Sequence, residues 1–251
     1  MIDIHTHILP GLDDGAKTEE IALAILQEEI SQGVSEIVFT PHYYGKRRSP
    51  EEFCEKCNAV LTDLKNNLPD GIQVRLGAEV HFTGLNMPAY DSLCKLAIEG
   101  TKYILLELPF MEAWSQSLLR GLEYFIEETG YTPIIAHVER YEEVLKKPML
   151  ASVLVDMGCL LQVNAQAFLE RGEKKFAFAL LKHGLVHCLG SDAHDLGGRS
   201  PKWIEAKHAV EKAGLGEAWQ NCMDNTATVL ADGVVERKYG KPIKKIFGIY
   251  L

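Results

Sequence analysis

Seven short, β-rich apolar runs punctuate this chain, and nearly all of them deliver a histidine or an acid at their C-terminal end. The runs are 2–5, 36–40, 72–77, 103–107, 133–136, 160–163 and 187–190. They lead in turn to His5-Thr6-His7, His42, Glu79, Glu107, His137, Asn164 and Asp192, with His194 two residues beyond the last. Helical patterns separate them. Residues 18–32 place Glu19 and Glu20 in a first turn, where the helix dipole favours acids. Ile21 and Ile25, then Ala22, Leu26 and Ile30, repeat at helical spacing, and Gly33 ends the pattern. Further helices are predicted over 50–66, 88–96, 115–128, 201–213 and 217–230, with shorter ones before 157 and before 183. Strands alternating with helices imply a parallel α/β sheet. About seven such units predict a closed or nearly closed barrel.

In a parallel barrel the C-terminal strand ends converge on one face, and that face carries the site. Side chains alternate along a strand, so His5 and His7 point the same way. Asp192 and His194 do likewise if strand geometry continues past residue 190. A lone H-x-H or an acid after a strand carries little weight, since the acid is often a helix N-cap. Recurrence at one topological position carries more. Adding Asp14 gives nine candidate ligands: His5, His7, His42, His137, His194, Asp14, Glu79, Glu107 and Asp192. Imidazole and carboxylate together suit zinc, manganese or iron, whereas calcium and magnesium favour all-oxygen shells. Nine ligands exceed what one tetrahedral ion takes and fit two or three. Four crowded carboxylates need cations to stay ionised. Three divalent ions more than neutralise them, and the residual positive charge suits a phosphate dianion.

The 251-residue length fits one barrel domain, and no linker or repeat divides it. Residues from about 232 to 251 form a basic, aromatic C-terminal extension expected to pack on the barrel surface. A net charge of -9 argues against nucleic acid or an anionic membrane as the main partner, though a local basic patch stays compatible with it. No apolar run is long enough to span a membrane. The opening residues lack a basic n-region and an apolar h-region, so the expectation is a cytoplasmic protein with six reduced cysteines. Cys54 and Cys57 form a lone C-x-x-C without companion ligands.

Met1-Ile2-Asp3-Ile4-His5-Thr6-His7-Ile8-Leu9-Pro10-Gly11 and Asp13-Asp14-Gly15 resemble the opening of the PHP (polymerase and histidinol phosphatase) superfamily. Thr40-Pro41-His42, Gly77-Ala78-Glu79, Leu106-Glu107, the run from Ile135 to Tyr141, and Ser191-Asp192-Ala193-His194 extend the match to about residue 200. The group resembled most is the CpsB/CapC branch of bacterial metal-dependent protein-tyrosine phosphatases. The resemblance implies a distorted (β/α)7 TIM-like barrel of PHP type holding three divalent ions. Manganese is the first choice, with iron, zinc or magnesium as alternatives. One ion would take His5, His7, Glu79 and Asp192. A second would share Glu79 and take Glu107 and His137. A third would take Asp14, His42 and His194. Glu107, where many PHP relatives carry histidine, favours the CpsB branch. The resemblance also gives catalytic roles to Asp14, His42 and His194, and phosphate binding to Arg140 and Arg199. The alternative for Arg140 is a rim ion pair with Glu139 or Glu143.

The implied reaction is phosphomonoester hydrolysis, with a phosphotyrosine protein, in the form of a bacterial tyrosine kinase tail, as partner. Arg47 and Arg48 either guide an acidic phosphopeptide or form a solvated loop. Within the superfamily the alternative is a small-molecule enzyme such as histidinol phosphatase. An amidohydrolase would place a lysine at a mid-barrel strand end, where this chain has glutamates. A catalytically dead metal module would not need the intact ligand set. A cysteine phosphatase needs C-x5-R, and the sixth residue after Cys188 is His194. His81 follows Glu79 by two and is a candidate for the same cavity, while Phe110 and Trp114 are rim or core aromatics.

Overall fold

The computed structural model describes residues 1–84, 89–111 and 113–251. Among the described residues nine strands build the central sheet: β1 (Ile2–Thr6), β2 (Glu36–Phe39), β3 (His42–Tyr43), β4 (Gln73–Leu76), β5 (Glu79–His81), β6 (Tyr103–Glu107), β7 (Thr132–Ile135), β8 (Leu160–Asn164) and β9 (Cys188–Gly190). All their pairings are parallel, in the orders β1-β2-β4 and β3-β5-β6-β7-β8-β9. The two ladders meet where Thr6 bridges Ala193. There His7 N donates to Ala193 O at 2.9 Å and Asp192 N donates to His5 O at 2.8 Å. The first and last strands are thereby joined in a curved, parallel α/β sheet.

The expected runs 36–40 and 72–77 form β2 and β4, and each is followed by a further short strand, β3 or β5, that was not expected. Between β2 and β3 stands Pro41, which has no N–H for a ladder. Between β4 and β5 lie Gly77 and Ala78, where a Cβ on Gly77 would come within 3.3 Å of Val38. The break lets β3 and β5 leave the β1-β2-β4 ladder and join the one that contains β6.

Alternation along the strands sorts the residues into two layers. Ile37, Phe39, Ile104, Leu106, Ile135, Leu161 and Leu189 pack outward with the helices. Ile4, Val38, Leu105, Ile134, Leu160 and Cys188 form a separate inner cluster, joined by Val229 and Leu230. Side chains two apart share a face. The inner face therefore passes from Leu105 to Glu107, from Leu160 through Gln162 to Asn164, and from Cys188 to Gly190. It is apolar at the start of these strands and, on β6 and β8, polar at the end. A register irregularity in β1 between Asp3 and Thr6 adds one residue against β2. Ile4 consequently joins the inner cluster while His5 and His7 share the space above it.

The helices are α1 (Glu19–Ser31), α2 (Pro50–Lys65), α3 (Tyr90–Leu93), α4 (Gln116–Thr129), α5 (Glu142–Lys146), α6 (Leu150–Asp156), α7 (Lys174–Lys182), α8 (Trp203–Lys212) and α9 (Gly216–Leu230). Side chains of Thr18, Ser49 and Ser115 cap α1, α2 and α4, and Glu52 completes a capping box with Ser49. The helix expected over 88–96 is α3 followed by a 3-10 turn at Cys94–Leu96, and Pro88 lies outside the described residues. The chain ends in an antiparallel hairpin, β10 (Lys245–Ile246) and β11 (Ile249–Tyr250). Its two-residue turn has positive φ at Phe247 and Gly248, the primed geometry that suits a hairpin. Among the described residues no helix is long and apolar enough to cross a membrane.

Candidate metal centre

The polar ends of the strands meet in one buried space. His5 from β1 and His7 just after it present their Nε2 atoms to each other at 3.1 Å. Glu79, the first residue of β5, lies between several rings. Its Oε2 is 3.4 Å from His5 Nε2, 3.2 Å from His7 Nε2 and 2.8 Å from His42 Nδ1, while its Oε1 is 2.7 Å from His137 Nε2. Glu107, at the end of β6, is 3.8 Å from His137 Nε2. Asp192 Oδ1 stands 3.6, 3.4 and 3.5 Å from His5, His7 and His194. Asp14 Oδ1 reaches His42 Nε2 at 3.4 Å and His194 Nε2 at 3.3 Å. All nine candidate ligands of the sequence reading are thus brought together.

Groupings tight enough to share an ion are His5-His7-Asp192, His42-Glu79-Glu107 and His7-Asp14-His42-His194. These differ in detail from the sets that the resemblance implies: His7 and His42 each belong to two groups, and His137 reaches the cluster through Glu79.

Two non-glycine residues here have left-handed backbone, His137 with φ 32° and Asp192 with φ 54°. Such conformations cost energy and persist only where the surroundings enforce them. The strand geometry expected to carry Asp192 and His194 to the same face therefore stops at β9. A sharp turn brings both in instead, with Asp192 O 2.8 Å from His194 Nδ1.

Outer partners fix the rings. Asp13 Oδ2 is 2.7 Å from His7 Nδ1 and also accepts from His42 N. Gln162 Oε1 is 3.2 Å from His5 Nδ1 and accepts from His137 N at 2.7 Å. Partners of this kind orient metal-binding imidazoles and set their tautomers. Asp13 and Gln162 carried no role in the sequence reading. The signal for Gln162 was a polar side chain in an otherwise apolar strand, sharing a face with Asn164.

The donor set fits cations. His42 Nδ1, Glu79 Oε2 and His194 Nε2 are buried without a hydrogen-bond partner. His42 Nδ1 and Glu79 Oε2 lie close but are not aligned as donor and acceptor. Buried polar atoms are normally satisfied, so a cluster of them facing one space is what ligands to a cation look like. The titration behaviour agrees. Burial works against a proton on His7, but Asp13 and Glu79 outweigh it and raise its pKa to about 10. His5 is likewise raised against burial, by Glu79 and Asp192. Burial opposes ionisation of Glu79 and Asp192, yet the neighbouring histidines hold both well below the carboxylate range. Burial and His7 push His194 down to about 3, leaving its ring neutral. Without metal, protons supply the positive charge that the carboxylates require.

Both predicted arginines converge here. Arg140 Nη1 donates to Asp192 Oδ2 and Arg199 Nη2 to Asp192 Oδ1, each at 3.1 Å. Arg199 also reaches Asp14 Oδ2 at 3.3 Å. Arg140 does not pair with Glu139 or Glu143; Glu143 holds Lys147, and Glu139 accepts from Asn164 N. Its guanidinium lies 5.0 Å over the Phe110 ring, which stacks in turn on His137. His81 contacts Glu107 Oε2 at 3.1 Å, so it does border the cluster.

A cleft of about 490 Å³ opens beside Asp14 and His42, lined also by Tyr43, Tyr44, Arg47 and Arg48. Tyr44, unmarked in the sequence, packs between His42 and His81 with Arg47 over its ring at 5.0 Å. The cysteines stand apart. Cys188 is fully buried, and burial pushes its thiol up to about 12, the opposite of a nucleophile's requirement. Cys57 is pushed up to about 12 in the same way.

Comparison with known proteins gives a consistent picture. The family model described as "Capsular polysaccharide synthesis, CpsB/CapC" matches residues 1–231. Tyrosine-protein phosphatase YwqE of Bacillus subtilis is 30% identical, covering 100% of both chains. Tyrosine-protein phosphatase CpsB of Streptococcus pneumoniae is 32% identical over 94% of this chain and 100% of its own. A solved structure from work on YwqE and CpsB, described as unique metal-dependent tyrosine phosphatases, superposes with a TM-score of 0.83 at 28% identity, over 98% of this chain and 100% of that one.

Proposed function

The chain belongs to the CpsB/CapC family of capsular polysaccharide synthesis, and we propose on that footing that it is a metal-dependent protein-tyrosine phosphatase acting on the phosphorylated tail of a bacterial tyrosine kinase. The observation that carries this reading is one space, buried except at Asp14, where five imidazoles and four carboxylates meet with two guanidinium groups. In this reading the two strand ladders make one distorted (β/α)7 barrel of PHP type. It is a single domain over residues 1–251, with 232–251 as its extension, working in the cytoplasm.

Three divalent ions, manganese foremost, suit the donor set. His5, His7, Glu79 and Asp192 would hold one. Glu79, Glu107 and His137 would hold a second, and Asp14, His42 and His194 a third. When bound, such ions supply activation of water and neutralisation of phosphoryl charge. The protein's own part is positioning. Asp192 engages both arginines, which sets Arg140 and Arg199 at the site where they would grip phosphoryl oxygens. Water oxygen bonds to phosphorus as the tyrosyl oxygen departs, and the proton that water gives up ends on that oxygen. A phenol pKa of about 10 makes that departure easy with little acid help. Arg47 and Arg48 line the cleft beside Asp14, where acidic residues flanking the phosphotyrosine fit.

The test is chelation followed by metal add-back, assayed on p-nitrophenyl phosphate, a phosphotyrosine peptide and histidinol phosphate. Turnover of the first two that vanishes with chelator and returns with manganese is expected. His42→Ala and Asp192→Ala should each abolish it with the fold intact. Preferred turnover of histidinol phosphate would assign the site to a small-molecule phosphatase instead, and full activity in both variants would remove the site assignment.

A further inference from the structure

The C-terminal hairpin lies beyond the residues that the family model matches, and its two faces differ in character. Cross-strand partners share a face of a hairpin, and successive pairs alternate. Lys245 and Tyr250 form the inward pair: Tyr250 packs on Phe176 of α7 at 4.9 Å, and Lys245 lies over the Tyr250 ring and donates to Leu145 O. Ile246 and Ile249, with Lys244 and Leu251, form the outward pairs. Ile246, Ile249 and Leu251 are 47%, 61% and 57% exposed, and Phe247 at the tip is fully exposed.

Charge on this segment runs against the rest of the chain. Residues 232–251 carry five Lys and Arg and two Asp and Glu, a net +3, which leaves -12 on residues 1–231 for the total of -9. Lys244, opposite Leu251, shares the apolar face, and Lys241 is exposed three residues before it. A small apolar tip with Lys244 on its face and Lys175 and Lys182 along the cleft beside Ile249, on an otherwise acidic body, matches the boundary of an anionic bilayer, where apolar side chains enter the headgroup layer and lysines meet lipid phosphates. The acidic body would be repelled, so attraction and repulsion together fix one orientation. A second copy of the chain fits less well. A stable interface engages about 20–30 residues a side, whereas this face offers four apolar side chains, and facing hairpins would oppose like charges.

We propose that the hairpin is a peripheral docking element for an anionic lipid surface. It leans on α5 and α7 on the outside of the sheet. Docking would hold the chain at the bilayer, among substrates tethered there.

The experiment is flotation of the full chain with vesicles of phosphatidylcholine alone, or with part of that lipid replaced by phosphatidylserine. Binding to the anionic vesicles only, weakening as salt rises, is expected. Phe247→Asn with Ile249→Ser, and separately Lys241→Glu with Lys244→Glu, should each reduce binding at least tenfold. Turnover of p-nitrophenyl phosphate should stay unchanged in both, which also reports that they fold. No binding, equal binding to neutral vesicles, or binding that survives both variants would overturn the proposal. Self-association of the wild-type chain by analytical centrifugation, lost in the Phe247→Asn, Ile249→Ser variant, would instead give the face to a second copy.

Discussion

The Nε2 atoms of His5 and His7 face each other 3.1 Å apart. Each ring's other nitrogen meets a fixed acceptor, Gln162 Oε1 for His5 and Asp13 Oδ2 for His7. With both Nδ1 hydrogens engaged outward, the two lone pairs point into the same volume, where only a proton or a cation relieves them.

Asp13 is therefore expected to matter without touching an ion. Asp13→Asn should weaken metal binding or activity about 10–100-fold, the usual cost of losing an outer partner of a ligating histidine. Manganese titration of chelated protein, read by calorimetry, checks this, and unchanged affinity would contradict it.

Arg140 and Arg199 are expected to differ from lysine at the same place. A lysine keeps the charge but loses the fork that grips two oxygens. Arg140→Lys should lower kcat/KM on a phosphotyrosine peptide by about tenfold or more, a loss of about 1.4 kcal/mol of transition-state binding. Steady-state kinetics beside a metal titration separates this from a loss of ions.

Gly190 marks the closest approach of β9 to β1. A Cβ there would lie 2.7 Å from His5 Cβ and 3.0 Å from Gln162 Nε2. Gly190→Ala should destabilise the fold by about 1–3 kcal/mol through overpacking. Denaturant unfolding is the measurement, and a shift below 0.5 kcal/mol, about the scatter of surface substitutions, would mean the strands can separate without cost.

His187 gives the chain an acid sensitivity distant from the cluster. Burial, then Arg237, lowers its pKa to about 4, and Leu161 N donates to its Nδ1. Unfolded, the ring takes a proton near 6.5. Between those values the unfolded state binds the extra proton, so stability falls as pH drops from about 6.5 to about 4, by up to about 3 kcal/mol. His187→Asn, which keeps an acceptor, should flatten that part of the stability profile relative to wild type. Urea unfolding of chelated protein at pH 7 and pH 5 compares the two.

Much of this was legible in the chain because the strand ends carry chemistry that a barrel core has no use for. Glu107 after Leu105 and Asn164 after Gln162 follow from alternation alone, whereas Asp192 comes in on a left-handed turn past the end of β9. The two strand breaks were not legible, since Pro41 and Gly77 read locally as strand ends. Asp13 escaped because its neighbour Asp14 offered the same side chain one residue later. Tyr44 escaped because its place depends on how the 43–49 loop folds over His42 and His81, which no periodicity encodes.

The bridge between Thr6 and Ala193 ties the beginning of the chain to a point near residue 200. During synthesis, His5 and His7 leave the ribosome long before Asp192 and His194 exist. A nascent or truncated chain then holds only part of the ligand set, too sparse to retain ions firmly. Hydrolytic competence should arrive late and abruptly, when the final strand locks against the first, so that incomplete products are inert rather than loose, indiscriminate esterases.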